Sequence, residues 1–265
     1  MSRLPTRWRG ALLHALTGFA GLLALSGSLH AETLQLAVAA NFTAPIKQLA
    51  ANFETETGHT VAVTVGATGK FYAQIKSGAP FDVFLSADAE TPARLEKEGD
   101  AVSGTRFSYA TGRLVLWSAK ADLVNARGDA VPPVLRTGNF AHIALASPKL
   151  APYGAAAVEA MGMLGLLARL EPKFVLGESI GQTFSFVSTG NAELGFVALS
   201  QVLEDGKLKS GSAWTVPADL HSPIAQDAVL LARGKNNAAA LAFMRFLKTD
   251  KARVVIRAYG YQVGP

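Results

Sequence analysis

Hydrophobic and polar positions along this chain switch repeatedly between a period of two and a period near 3.6. The run TLQLAVAA, ending at Ala40, reads as a buried strand. After it, Ile46, Leu49, Ala50 and Phe53 fall at i, i+3, i+4 and i+7, which puts one apolar face on a helix. Pro45 in its first turn and Gly58 after its last mark the ends. Val61, Val63 and Val65 alternate in HTVAVTVGATG, a second strand that breaks at Gly66-Ala67-Thr68-Gly69. A short helix with Phe71, Tyr72 and Ile75 follows, then the strand FDVFLSAD and a helix from Thr91 to Glu98. This order predicts a parallel sheet covered on both faces. A second set begins near Gly112. RLVLWSA, HIALASP, KFVL and LGFVALS read as strands, with helices from Tyr153 to Arg169 and from Gly181 to Ser188. DAVLLAR reads as a last strand, and Asn236 to Lys248 and Lys251 to Tyr259 as helices. Asn125 to Gly138, with its glycines and prolines, reads as a surface loop. There is no fixed-period repeat and no flexible tether, so any two domains must be joined by strands.

The first thirty-one residues follow a different pattern. Arg3, Arg7 and Arg9 precede an apolar run from Ala11 to about Leu25, then small and polar residues to Ala31. This is the layout of a secretory signal peptide cut after Ala31, and the run is shorter than the ~20 apolar residues of a membrane span. Removing it lowers the formal net charge from +5 to +2, because all three charges lost are arginines. The remainder has no clustered Lys/Arg stripe, which argues against a nucleic-acid partner. With 49% apolar and 17% charged residues over its 265 positions the full chain can bury a core and folds rather than staying disordered. It has no cysteine, so neither disulfides nor a lipid-anchored N-terminal cysteine enter the picture. A soluble protein of the bacterial periplasm, acting as a monomer, is the expectation.

Four strand-to-helix turns carry the candidate chemistry: Ala39-Ala40-Asn41-Phe42, Gly66-Ala67-Thr68-Gly69, Pro152-Tyr153-Gly154 and Ser179-Ile180-Gly181. The first N–H groups of a helix have no partner within it, and the helix dipole places partial positive charge there. Anions bind such ends, and ligands of open α/β sheets sit beyond the carboxyl ends of the strands. Taken singly, each turn also reads as ordinary capping and turn chemistry. His59, His142 and His221 lack metal-ligand spacing, and no G-x-S-x-G elbow, Walker loop or H-E-x-x-H motif occurs. Asp82 and Asp88 flank the third strand and read as a turn residue and a helix cap rather than a paired acid and base. No catalytic residue and no metal-ligating set is expected.

The segments AVAANFTAPIKQLAANFETETGH, GATGKFYAQIKSGAPFDVFLSAD, GRLVLWS, LAPYGAAA and ELGFVALSQ together resemble the periplasmic molybdate-binding proteins of ABC importers, from about Glu32 to Pro265. The resemblance implies the class II periplasmic binding protein fold, two doubly wound α/β domains joined by two hinge strands. Domain I would be residues 32–110 plus 226–265, and domain II residues 111–225. It also implies that uncharged donors hold the oxyanion. These would be the backbone N–H groups of Ala40 and Asn41 with the Asn41 amide, the hydroxyl and N–H of Thr68, Tyr153, and the backbone of Ile180. Many relatives carry a tyrosine where this chain has Ala198, and a hydroxyl from Tyr153 is the implied substitute. Lys70, beside Thr68, reads as a solvated lysine.

On that resemblance the protein captures molybdate or tungstate and passes it to a membrane permease, with no cofactor and no chemistry of its own. A site of donors only suits a tetrahedral dianion without a proton; hydrogen phosphate would bring a proton that needs an acceptor. Sulfate differs only in size. The same binding role for another tetrahedral anion, a secreted enzyme for an anionic small molecule, and a sensory adaptor are the competing readings.

Overall fold

The computed structural model describes residues 31–264 apart from 127, 129 and 205. The signal-peptide reading of the first thirty residues lies outside the described residues. The strands are β1 (Thr33–Ala39), β2 (Thr60–Gly66), β3 (Val83–Leu85), β4 (Phe107–Gly112), β5 (Leu114–Ser118) and β6 (Ile143–Ala146). After them come β7 (Phe174–Gly177), β8 (Leu194–Ala198), β9 (Leu203–Glu204), β10 (Lys207–Leu208), β11 (Ser212–Thr215) and β12 (Ile224–Leu230). The helices are α1 (Thr43–Thr57), α2 (Thr68–Lys76), α3 (Glu90–Glu98), α4 (Pro133–Thr137) and α5 (Pro152–Met163). The rest are α6 (Leu167–Leu170), α7 (Ile180–Ser188), α8 (Leu199–Val202), α9 (Ala238–Phe246) and α10 (Asp250–Ala258).

Two five-stranded sheets form, in the orders β2-β1-β3-β12-β4 and β11-β5-β8-β6-β7. Both are mixed. In the first, β1, β2 and β3 are parallel, while β12 runs antiparallel to β3 and β4. In the second, β6 is parallel to β7 and β8, and β5 runs antiparallel to β8 and β11. The parallel pairing expected of the first three strands is present, and β12 and β4 extend that sheet with antiparallel pairs. The chain passes between the sheets twice, from Gly112 to Leu114 and from Thr215 to Ile224, and Gly112 pairs with Ile224 at the junction.

Period-two alternation in β1 divides its side chains between two cores. Leu34, Leu36 and Val38 pack with Phe42, Ile46, Leu49 and Phe53, while Ala37 packs on the other face with Phe71 and Phe84. The expected apolar stripe of α1 is the buried one, and Gly58 ends the helix. Each of its large side chains contributes roughly 1.5–3 kcal/mol by leaving water. Strand β2 is the edge of its sheet, which is why Val63 and Val65 alternate as expected yet stay exposed.

Other expectations change. The helix read from Tyr153 to Arg169 is two helices, α5 and α6, separated at Gly165. The presumed loop from Asn125 to Gly138 contains α4, started by Pro133 after Pro132. Strands β4 and β11 escaped the pattern because FSYATG mixes polar and apolar residues and SAWT is only four residues long.

Gly154, in the first turn of α5, shows how closely the second sheet and its helix approach. A Cβ there would lie 2.1 Å from the carbonyl oxygen of Ala146, at the end of β6. Only a glycine allows α5 to begin against that strand end. Gly154→Ala should therefore cost about 1–3 kcal/mol, as overpacking does, and lower the midpoint of thermal unfolding by several degrees. An unchanged midpoint in calorimetry would contradict this packing.

Candidate functional site

The ends of β1, β2, β6 and β7 lead to the four turns noted above, and contacts link each turn to another. At the first turn Ala39 and Ala40 lie within one apolar cluster with Ala146, Ala151, Tyr153, Ile180 and Ala198. A Cβ placed on Gly181 would sit 3.3 Å from the Cβ of Ala40, so the first and fourth turns touch. The Gly69 N–H donates to the Leu150 carbonyl at 2.9 Å, which joins the second turn to the segment before the third. Asn41 and Tyr153 meet through Gln226 of β12. Small residues at these positions are what allow such close approach.

Each turn opens a helical segment. The first leads through a 3-10 turn, Ala40–Phe42, into α1. Thr68 begins α2, with the extended Ala67 before it. Pro152 begins α5 and has no N–H to leave unpaired, so Tyr153 supplies the first one. Ser179 caps α7, its side chain accepting from the Gln182 N–H, and Ile180 follows. Ala40, Asn41, Thr68, Tyr153 and Ile180 are all buried. Among the described residues, none of their five N–H groups meets a protein acceptor. The Thr68 hydroxyl accepts from the Ala87 N–H at 3.1 Å and keeps its own proton to donate. Unmet, buried donors cost about 1–3 kcal/mol each. Five together approach the net stability of a domain, about 5–15 kcal/mol.

Two of the implied side-chain donors make hydrogen bonds within the molecule. The Asn41 amide nitrogen donates inward, to Gln226 Oε1 at 2.8 Å and to the Tyr261 hydroxyl at 2.9 Å. Its Oδ1 is buried without a partner among the described residues. The Tyr153 hydroxyl, 1% exposed as a residue, accepts from Gln226 Nε2 at 3.1 Å inside the molecule. Burial, reinforced by the neighbouring Tyr261 and Tyr109, pushes its ionisation well above the usual phenol range, so it stays protonated. Like the Thr68 hydroxyl, it accepts one bond and keeps its own proton. Nothing replaces the missing side chain at Ala198, whose N–H is taken by Gln201 Oε1 at 2.9 Å. Gln201 in turn donates to the Ile180 carbonyl at 3.0 Å. Sequence reading missed Gln226 and Gln201 because a lone glutamine in a strand or short helix carries no motif.

Lys70 pairs with Glu178 at 2.5 Å across the junction, and both side chains are exposed. Asp88 accepts from the Thr91 N–H at 2.8 Å and its hydroxyl at 3.0 Å, and Asp82 accepts from the Gln35 N–H at 2.9 Å. Both carboxylates are thus structural. Burial nonetheless raises the Asp88 pKa above the usual carboxylate range. Among the described residues no cluster of His, Cys, Asp or Glu is placed to hold a metal ion.

The junction has an opening on either side. One, of about 490 Å³, is lined by Thr68, Gly69, Ala87, Asp88, Leu150 and Pro152. The other, of about 690 Å³, is lined by Ala40, Asn41, Lys47, Gly181, Ser200 and Gln201. Tyr153 and Ile180 line neither, so no single opening gathers all five residues. What unites them is the contacts between turns and the unmet N–H groups.

The sequence profile of the family described as "Bacterial extracellular solute-binding protein" matches residues 34–262. The chain belongs to this family. Among individual solute-binding relatives, the molybdate-binding protein ModA of Azotobacter vinelandii is 57% identical over 91% of this chain and 94% of its own. The molybdate-binding protein ModA of Rhodobacter capsulatus is 51% identical over 98% of this chain and 99% of its own. A solved structure of an Azotobacter vinelandii periplasmic molybdate-binding protein superposes with a TM-score of 0.83 at 41% identity, covering 88% of this chain and all of that one. The fold of this chain is thus the mixed α/β, two-sheet fold of the periplasmic solute-binding proteins, and the relatives are binding proteins rather than enzymes.

The exposed Lys70–Glu178 pair tests whether charge matters at this site. Lys70→Gln should change stability by less than about 1 kcal/mol, as exposed pairs do, read from the midpoint of urea unfolding. A larger loss would mean that Lys70 does more than bridge the lobes.

Proposed function

We propose that this protein captures molybdate, and tungstate with it, as a monomer in the periplasm and delivers it to the membrane permease of an ABC importer. The observation that carries the reading is the set of five buried N–H groups without an acceptor among the described residues, drawn from the helix starts that follow both sheets. The 57% and 51% identical molybdate-binding relatives support the choice of anion.

The donors suit the chemistry. A tetrahedral oxyanion with two charges and no proton offers only acceptors, and hydrogen bonds to a charged acceptor are about twice as strong as neutral ones. Ala40, Asn41 and Thr68 act from one lobe, Tyr153 and Ile180 from the other, so the anion is fully coordinated only when the lobes meet. The Thr68 hydroxyl adds a sixth donor. Helix dipoles at α2, α5 and α7 supply partial positive charge without a basic side chain to desolvate. No cofactor takes part, and the protein transforms nothing.

Closure and release follow from the double crossing. Residues 32–110 with 226–265 form one lobe and residues 111–225 the other, turning about the paired strands β4 and β12. In the closed arrangement Gly69 bonds Leu150, Ser200 Oγ donates to the Asn41 carbonyl at 2.8 Å, and Lys70 meets Glu178. Opening breaks these three links and frees the anion.

A thermal melting series tests the assignment. Molybdate or tungstate at a hundred times its Kd should stabilise the protein by about 2.7 kcal/mol; sulfate and phosphate should shift the midpoint much less. A larger shift with sulfate would overturn the choice of anion. Thr68→Asp sets a carboxylate against the dianion and should abolish the molybdate-induced shift. Retention of the full shift would place the second turn outside the site.

A further inference from the structure

The two openings at the junction differ in charge. The smaller, of about 490 Å³, is lined by Asp88, Glu90 and Glu159, with Lys149 as the one basic residue of its lining. The larger, of about 690 Å³, is lined by Lys47 and Lys209 and by no acidic residue. Both reach the donors: Thr68 lines the first, Ala40 and Asn41 the second. A dianion near the junction therefore meets a negative flank on one side and a positive flank on the other. Coulomb forces scale with the charge of the ligand, so a dianion feels each side chain twice as strongly as a halide ion does.

The two lysines come from different lobes. Thr43, Ala44, Lys47 and Gln48 fall at i, i+1, i+4 and i+5, so one face of the first turns of α1 borders the opening. Lys209 follows the hairpin of β9 and β10, in the segment that leads to β11. Both lysines are exposed. Glu204, on the same hairpin, lies 3.5 Å from Lys209 Nζ, but it is exposed and stands outside the lining. With Glu204 counted, the flank still keeps a net positive charge. The acidic flank is held in place. Asp88 accepts from the Thr91 N–H and hydroxyl, Glu159 accepts from the Ser222 N–H at 2.7 Å, and Glu90 opens α3. Lys70, beside Thr68, is balanced by Glu178.

Resting on the oxyanion reading above, we propose that the dianion enters by the flank of Lys47 and Lys209, which collect it, rather than past Asp88, Glu90 and Glu159. Neither lysine touches the bound anion. A solvated lysine avoids the desolvation cost it would meet among the buried N–H groups. It still acts through water over a Debye length, roughly 10 Å at 0.1 M salt and 30 Å at 0.01 M. One lysine on each lobe keeps the flank positive when the lobes part. Capture and choice are then separate. Charge gathers any dianion, sulfate included, and sets how fast the site fills. The buried N–H groups decide which anion stays and how slowly it leaves.

The test is stopped-flow binding of sodium molybdate, read by intrinsic fluorescence at an ionic strength of about 0.01 M. The double variant Lys47→Gln/Lys209→Gln should lower the association rate constant about fivefold and leave the dissociation rate constant within about twofold, as expected of steering. In about 0.5 M sodium chloride it should bind as fast as the wild type, because salt screens the flank. Lys97→Gln/Lys235→Gln removes the same charge elsewhere. Both residues are exposed and line neither opening; Lys97 sits in the last turn of α3, and Lys235 follows Gly234, which packs on Asp82 before β3. This control should change the association rate constant less than about twofold. An equal loss in the control would reduce the effect to net charge and overturn the route. So would a loss carried by the dissociation rate constant, which would make the lysines ligands. An unchanged association rate constant in the Lys47/Lys209 variant, with molybdate still bound, overturns the route and leaves the binding reading intact. A wild-type protein that binds no molybdate overturns both.

Discussion

Main-chain N–H groups buried at the starts of helical segments are the constraint around which this molecule is arranged. A helix satisfies its backbone internally except at its ends. Here the ends at Ala40, Asn41, Thr68, Tyr153 and Ile180 are buried by the meeting of two lobes. The need for small residues at Ala39, Ala40, Gly69 and Gly181 follows, because larger ones would hold the lobes apart. So does the absence of basic side chains. A lysine in that interior would carry its own desolvation cost, whereas an amide dipole is fixed in place by the helix that follows it.

Behind the donors lies a second polar layer, and it sits on the hinge. Strand β12 turns two consecutive polar residues into the interior, Gln226 and Asp227, where the pairing with β4 shifts register. Asp227 is held by Arg106 and Ser108, each at 2.5 Å. Gln226 reaches Asn41, Tyr109 and Tyr153. A bulge re-aims neighbouring side chains, and here it gives one residue to the structure of the first lobe and the next to the junction. The strand that the lobes share is therefore also the strand that senses both.

Much of this was legible in the chain itself. The stripe Ile46, Leu49, Ala50 and Phe53, the four small turns, and the resemblance carried by GAPFDVFLSAD lead to the family that the profile match shows. Illegible were the parts that depend on partners distant in sequence. Asn41 and Gln226 are separated by 185 positions and Asn41 and Tyr261 by 220. No local pattern shows that the Asn41 amide meets Gln226 and Tyr261, or that the Tyr153 hydroxyl meets Gln226. Strand β4 was overlooked for a similar reason. Its polar residues look like those of a loop until Asp227 accepts the Ser108 hydroxyl and the hinge buries the rest.

The sequence by itself determined where the helices begin and which N–H groups they leave unpaired, because helix geometry makes that a local property of each turn. It also determined family membership and the absence of charged ligands in those turns. Only the tertiary structure decided which side chains stand beside those N–H groups. Side-chain orientation depends on acceptors and donors brought from other strands and from the opposite lobe, and one amide can face either way until its neighbours are in place.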